Sequence, residues 1–149
     1  MAVSTKARAR WMSALAQADP AAVEAAWSRL ERRPEYRVLR AAETGLVMVR
    51  GRAGGTGAPF NLGEMTVTRC SVTLDDGRVG HAYVSGRDAR HAERAAALDA
   101  LLQDETARGL LERLVIEPLV AAREARRQET RARVAGTKVE FFTMVRGEE

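Results

Sequence analysis

Few side chains in this 149-residue sequence could do covalent chemistry: one cysteine, Cys70, and two histidines, His81 and His91. A catalytic thiol needs an activating base within hydrogen-bond reach and partly exposed, electropositive surroundings. If Asp76 and Gly77 form a two-residue turn, Asp75 faces Arg78, and one face of the resulting hairpin carries the pairs Leu74 with Val79, Val72 with His81 and Cys70 with Tyr83. Neither histidine is then placed to deprotonate the thiol. Cys70 reads as a small buried thiol and His81 as a core or interface imidazole.

Anion chemistry has more to work with. Residues 51–64 hold five of the twelve glycines, and Arg50 and Arg52 adjoin Gly54-Gly55-Thr56-Gly57. Glycines let successive backbone N–H groups converge on an anion, and arginines add charge-assisted bonds to a phosphate. The segment lacks both the Gly-Lys-Ser/Thr ending of a phosphate-binding loop and the G-x-G-x-x-G order of a dinucleotide site. It therefore reads either as a phosphate cradle or as a structural loop that packs Phe60 and Leu62. A second candidate is the start of a helix after Arg87, where Arg90 and His91 lie near unpaired N–H groups. Asp88 competes for that place as an N-cap. Metal binding is not indicated, since His91 and Glu93 at i, i+2 point apart on a helix, and one cysteine cannot build a thiolate zinc site.

The elements that would position these residues can be read from spacing. Trp11, Met12, Leu15 and Ala16 form one helical stripe, and Asp19-Pro20 caps and begins a second helix carrying Val23, Trp27 and Leu30, which Pro34 ends after Arg32-Arg33 in its last turn. Residues 1–34 thus predict a helical pair with both tryptophans as packing residues. Residues 35–86 predict a sheet. Tyr36 to Ala42 and Leu46 to Arg52 read as a hairpin turning at Glu43-Thr44-Gly45, and Glu64 to Leu74 with Val79 to Ser85 as a second, the glycine-rich loop 51–63 lying between. Residues 87–135 predict helices: His91, Ala95, Leu98 and Leu102 share a face, Pro118 restarts the helix, and Glu129 pairs with Arg133 at i, i+4. Gly136 suits a C-terminal cap. The apolar run 137–147, with Phe141, Phe142, Met144, Val145 and Arg146, reads either as an extra strand or as a partner-docking tail.

Composition bounds the rest. With 46% hydrophobic and 30% charged residues, the chain predicts one α+β domain over residues 1–149, its antiparallel sheet of about four strands packed by the N-terminal helix pair and the C-terminal helices. No stretch approaches the apolar length of a membrane span, and residues 1–17 lack the apolar run of a secretory signal, so a cytoplasmic setting without membrane contact is expected. The net charge is +4, and all but two of the 24 basic residues are arginine. The excess gathers at Lys6, Arg8 and Arg10 and again over Arg123, Arg126, Arg127, Arg131 and Arg133. Without one concentrated stripe, nucleic-acid binding is not the expectation; a stand-alone nucleic-acid-binding or phosphate-ligand-binding α+β domain remains the alternative.

Several segments taken in order carry a resemblance: Arg8-Ala9-Arg10-Trp11-Met12-Ser13, Ala41-Ala42-Glu43-Thr44-Gly45-Leu46, Gly54-Gly55-Thr56-Gly57, Thr68-Arg69, Gly86-Arg87-Asp88 with His91-Ala92-Glu93-Arg94, and Phe141-Phe142-Thr143-Met144-Val145-Arg146-Gly147. Together they resemble the PhnG family, a subunit of the bacterial carbon-phosphorus lyase core complex. The resemblance implies a role in phosphonate metabolism, as part of a transferase that joins methylphosphonate to the ribose of ATP with release of adenine. It implies action with the PhnH, PhnI and PhnL subunits and stable assembly with PhnH, PhnI and PhnJ. It implies no cofactor in this chain: the iron-sulfur cluster and S-adenosylmethionine chemistry would belong to PhnJ, in keeping with the lone cysteine. Arg50, Arg52, Gly54, Gly55, Thr56, Gly57, Arg87 and His91 are then the candidates for a shared phosphate-binding surface, with no catalytic residue and no metal ligand singled out.

Overall fold

A computed structural model describes residues 3–137. The agreement between sequence pattern and structure is clearest at the start of the chain. Helix α1 (Thr5–Gln17) buries Trp11, Ala14 and Leu15, and α2 (Pro20–Ser28) buries Val23, Ala26 and Trp27. Asp19 caps α2 by accepting from the Ala21 N–H, with Pro20 at the first helical position, where its missing N–H costs nothing. The helix stops at Ser28, earlier than Pro34 suggested, so Arg32 and Arg33 lie beyond its last turn.

The sheet has three antiparallel strands in the order β1-β2-β3, not four: β1 (Tyr36–Arg52), β2 (Pro59–Leu74) and β3 (Val79–Ser85). The expected first hairpin is one 17-residue strand. Glu43-Thr44-Gly45 does not turn; it runs on against Arg69, Thr68 and Val67, and the irregularity its composition signals is absorbed by register shifts between Val38 and Arg40 and between Arg40 and Glu43. Strand β2 likewise begins at Pro59, so the true glycine turn is confined to 53–58, between β1 and β2.

The β2–β3 hairpin is where expected, but one residue out of register. Gly77 adopts φ 84° and donates to the Leu74 carbonyl at 3.0 Å, while the Leu74 N–H donates to Arg78 at 2.9 Å. This is a three-residue turn with a left-handed glycine, which pairs Thr73 with Val79, Ser71 with His81 and Cys70 with Ala82. A one-residue slip exchanges the two faces. Cys70, Val72, Ala82 and Val84 therefore enter the core, and His81 and Tyr83 face outward.

Helix α3 (Ala89–Leu102) lies on the inward face. Its alanines 92, 95, 96, 97 and 100 are all buried, leaving room for the sheet to approach closely. At Gly80 the approach is tightest: an added Cβ would collide with the Ala96 carbonyl and lie 2.8 Å from the Ala100 nitrogen. Helix α4 (Glu105–Leu111), capped by Asp104, widens into one π turn over Glu112–Ile116 and continues as α5 (Glu117–Ala135) with Pro118 in its first turn. Arg133 and Glu129 pair at 3.1 Å as expected. Gly136 caps α5 in a right-handed rather than a left-handed conformation. Phe141, Phe142, Met144, Val145 and Arg146, and the strand or tail read from them, lie outside the described residues.

Candidate functional site

Beyond Val67 the third strand ends, and β1 and β2 continue alone as a two-stranded ribbon whose tip is the glycine turn. Arg50 and Arg52 sit just before that tip; two residues apart on a strand, they share a face. The Arg52 Nη1 donates to the Gly57 carbonyl at 2.9 Å and so braces its own turn. Arg50 is exposed and makes no hydrogen bond or ion pair among the described residues. Gly54 (φ 59°) and Gly55 (φ 81°) occupy the left-handed region open to glycine, and the Gly57 N–H is spent on the Ala53 carbonyl at 3.0 Å. Thr56 is exposed beside them. Phe60 and Leu62, which a structural loop would pack against the sheet or a partner, are 44% and 66% exposed on the ribbon.

The other phosphate candidates stand elsewhere. Arg87 is exposed after Gly86, whose N–H donates to the Thr66 carbonyl at 2.9 Å, which places Arg87 at the root of the ribbon. From Thr66 to Pro59 the strand advances on the order of 20 Å. The tip and Arg87 therefore cannot grip one phosphate group within one chain. His91 is buried, its Nε2 2.8 Å from the Leu15 carbonyl, so it is a core histidine rather than a surface anion ligand. The N-terminus of α3 is occupied by Asp88, which accepts from the His91 N–H at 2.9 Å.

The arginines near that helix start are also engaged. Arg90 makes a two-pronged contact with Glu24 at 2.8 and 3.0 Å. Arg94 reaches Glu24 at 3.1 Å, donates to the Tyr36 hydroxyl at 2.9 Å and lies 4.8 Å over the Trp27 ring. Chiefly the Arg90 hydrogen bond, opposed by burial and aided by the hydrogen bond from Arg94, holds the Glu24 carboxyl below its ordinary pKa.

No nucleophile and base meet among the described residues. Cys70 is buried, burial pushes its thiol pKa up, and the Sγ donates to the Arg40 carbonyl at 3.3 Å. His81 is on the opposite face, its Nδ1 2.9 Å from the Ser71 hydroxyl. Nor does any group of three or more His, Cys, Asp or Glu residues among them suit a metal ion. No helix of the described residues is long and apolar enough to cross a membrane.

The most highly connected polar group was not anticipated. Asp99, fully buried on α3, accepts from Arg8 Nε at 3.1 Å and Nη2 at 2.6 Å, from Trp11 Nε1 at 2.8 Å and from the His81 backbone N–H at 2.9 Å. Four donors replace the water that a buried carboxylate gives up. Two signals pointed to it: one carboxylate inside Ala-Ala-Ala-Leu-Asp-Ala-Leu-Leu, and Arg8 with Trp11 at i, i+3 on one face of α1. Asp99 joins α1, α3 and β3. It also removes Arg8 from the basic N-terminal cluster, as Arg126 with Asp19 at 3.5 Å tempers the second cluster.

These features define an α+β domain in which exposed arginines stand at a ribbon tip and no nucleophile and base meet among the described residues. The family described as "Phosphonate metabolism protein PhnG" matches residues 6–147. A relative from Rhizobium meliloti (strain 1021), "Alpha-D-ribose 1-methylphosphonate 5-triphosphate synthase subunit PhnG", is 44% identical over 142 residues, which cover 95% of this chain and 90% of the relative. The chain belongs to the PhnG family, and its function is that of the PhnG subunit of this synthase, a multi-subunit transferase.

Proposed function

We propose that this subunit serves a synthase that transfers the ribose triphosphate moiety of ATP to methylphosphonate, with adenine as the leaving group, and that it does so as a scaffold that lends cations to a shared phosphate-binding surface. It acts there with the PhnH, PhnI and PhnL subunits and assembles with PhnH, PhnI and PhnJ in the cytoplasm. The iron-sulfur cluster and S-adenosylmethionine chemistry reside on PhnJ and not in this chain. Departure of adenine leaves an oxocarbenium-like ribose beside a highly charged triphosphate, so fixed cationic donors near the phosphates lower the cost of gathering that charge. The observation that carries the reading is Arg50: an exposed guanidinium without a carboxylate partner among the described residues, beside Arg52 and two left-handed glycines at the ribbon tip.

Alanine at Arg50 and Arg52 in the reconstituted synthase tests this. Assembly is expected to survive, because neither side chain is buried, while turnover falls on the order of a hundredfold, the scale for losing a fixed donor to developing charge. Wild-type turnover in a fully assembled double variant would remove the arginines from the mechanism and leave scaffolding alone.

A further inference from the structure

The ribbon that carries those arginines has a surface that its own chain does not use. No residue of β1 is buried, and Pro59 to Met65 of β2 are all exposed. Leu46 is 60% exposed, Met48 52%, Leu62 66% and Met65 43%. These side chains stand on both faces. Met48 is opposite Glu64 on the side that, further along β2, faces the helices through Cys70 and Val72; Val47 is opposite Met65 on the outward side, toward Tyr83. Over residues 45–49 and 59–66 the one ionisable side chain is Glu64, although 30% of the chain is charged.

We infer that this ribbon is a docking arm that enters an apolar cleft with two walls in another subunit of the synthase. The inference rests on the chain's membership in a multi-subunit enzyme and is independent of whether the tip arginines touch phosphate. A two-stranded ribbon is marginally stable by itself in water and needs a partner to cover its faces. Packing against one flat surface leaves the other apolar face wet. A second copy of this chain is a poor match: its groove of about 430 Å³ lined by Leu101, Leu110, Leu111 and Leu114 is rimmed by Arg29, Glu31 and Arg32, charges that an uncharged arm would bury without partners. The near absence of charge along the shaft excludes an anionic polymer there, since such a partner would need cations facing it. It selects instead an uncharged cleft, the kind found in long-lived subunit interfaces. Beyond the cleft the arm holds Arg50, Arg52 and the glycine turn on the order of 20 Å from the body, where they can reach a site built by a different chain.

The test uses the full chain co-expressed with the other synthase subunits and recovered through a tag on one of them. Met48→Asp and Met65→Asp, on opposite faces, are each expected to lower recovery at least tenfold. Leu114→Asp, an equally exposed apolar position on the helical side at 55%, is expected to leave it unchanged. Met48→Thr and Met65→Thr, which keep strand propensity, should lower recovery in the same direction, separating lost contact from a disturbed strand. Normal recovery of either aspartate variant overturns the two-walled arm, and sensitivity of one face alone replaces it with a flat contact. Self-association of the isolated chain that Met48→Asp abolishes would assign the arm to a second copy and also overturn the inference. Failure of the wild-type chain to be recovered with its partners would instead overturn the subunit reading itself, an outcome distinct from any behaviour of the arm variants.

Discussion

The two ends of β2 are the same strand in two environments. From Val67 to Leu74 it lies between β1 and β3 under α3, with Cys70, Val72 and Leu74 in the core. From Pro59 to Met65 it has one neighbour and no cover. At the first end polar groups are matched inside the chain, with Asp99 meeting four donors. At the second, Arg50 and Glu64 have no partner among the described residues. The body is built to be stable, and the arm is built to be completed. Substitutions chosen in pairs, one at each end, can break or sharpen that contrast.

The largest difference is expected between Asp99→Ala and Arg50→Ala. Removing Asp99 strands the Trp11 indole N–H, the His81 N–H and the Arg8 guanidinium at a buried site, and a broken buried pair of this kind costs about 3 kcal/mol or more. Arg8 is about a third exposed and recovers some hydration, which places the cost at the lower end of that range. Arg50→Ala should change stability by less than about 0.5 kcal/mol, as exposed unpaired positions do. Urea unfolding of the two variants measures both. A small loss at Asp99 would mean that the body does not depend on its polar hub.

Glycines give the next contrast. Gly80→Ala drives a methyl group into the Ala96 carbonyl and the Ala100 backbone, and overpacking of this sort costs about 1–3 kcal/mol. Gly63→Ala, on the arm, meets nothing within 4 Å and is expected to be neutral or slightly stabilising through the unfolded chain. Thermal melts of both should move apart. If Gly80→Ala melts like wild type, α3 has slack against β3 that the close contact does not suggest.

Legibility in the sequence follows the range of the interaction. Asp19-Pro20, Asp88 and the strand Val79–Ser85 were readable because their signals act over a few residues, as were Pro118 and the Glu129–Arg133 pair. The sheet was misread where a partner strand overrides local chemistry. Glu43-Thr44-Gly45 has the composition of a turn, yet β2 holds it extended through two register shifts. The one-residue register error came from Gly77, since Asp-Gly also suits the three-residue turn seen here, and that choice turns His81 and Tyr83 outward while Cys70 stays in the core as expected. Asp99 escaped notice because its side-chain partners are 88 and 91 residues away in the chain. Of the candidate site, Arg50, Arg52 and the glycines are neighbours in sequence and stand together at the ribbon tip, whereas Arg87 and His91 were joined to them only by residue type.

The smallest effect concerns pH, and here too the two regions should differ. Glu24 links α2 to α3 through Arg90 and Arg94, and chiefly the Arg90 hydrogen bond lowers its pKa from an ordinary value of 4.5. A carboxyl lowered on folding contributes stability that is present above its unfolded pKa and is lost as pH falls through the folded one. Glu24→Gln should therefore lower Tm modestly at pH 7, and the gap from wild type should close as the buffer is taken below about pH 4. Arg90 is at the surface, whereas Arg94 is largely covered, so added salt should narrow the gap only in part. Glu64→Gln, on the arm, has no ion pair to lose and should melt like wild type at pH 7 in the isolated chain. A Tm gap for Glu64→Gln that opens only in the assembled synthase would locate a cation of the partner beside the arm, and would turn the weakest of these contrasts into a map of the cleft.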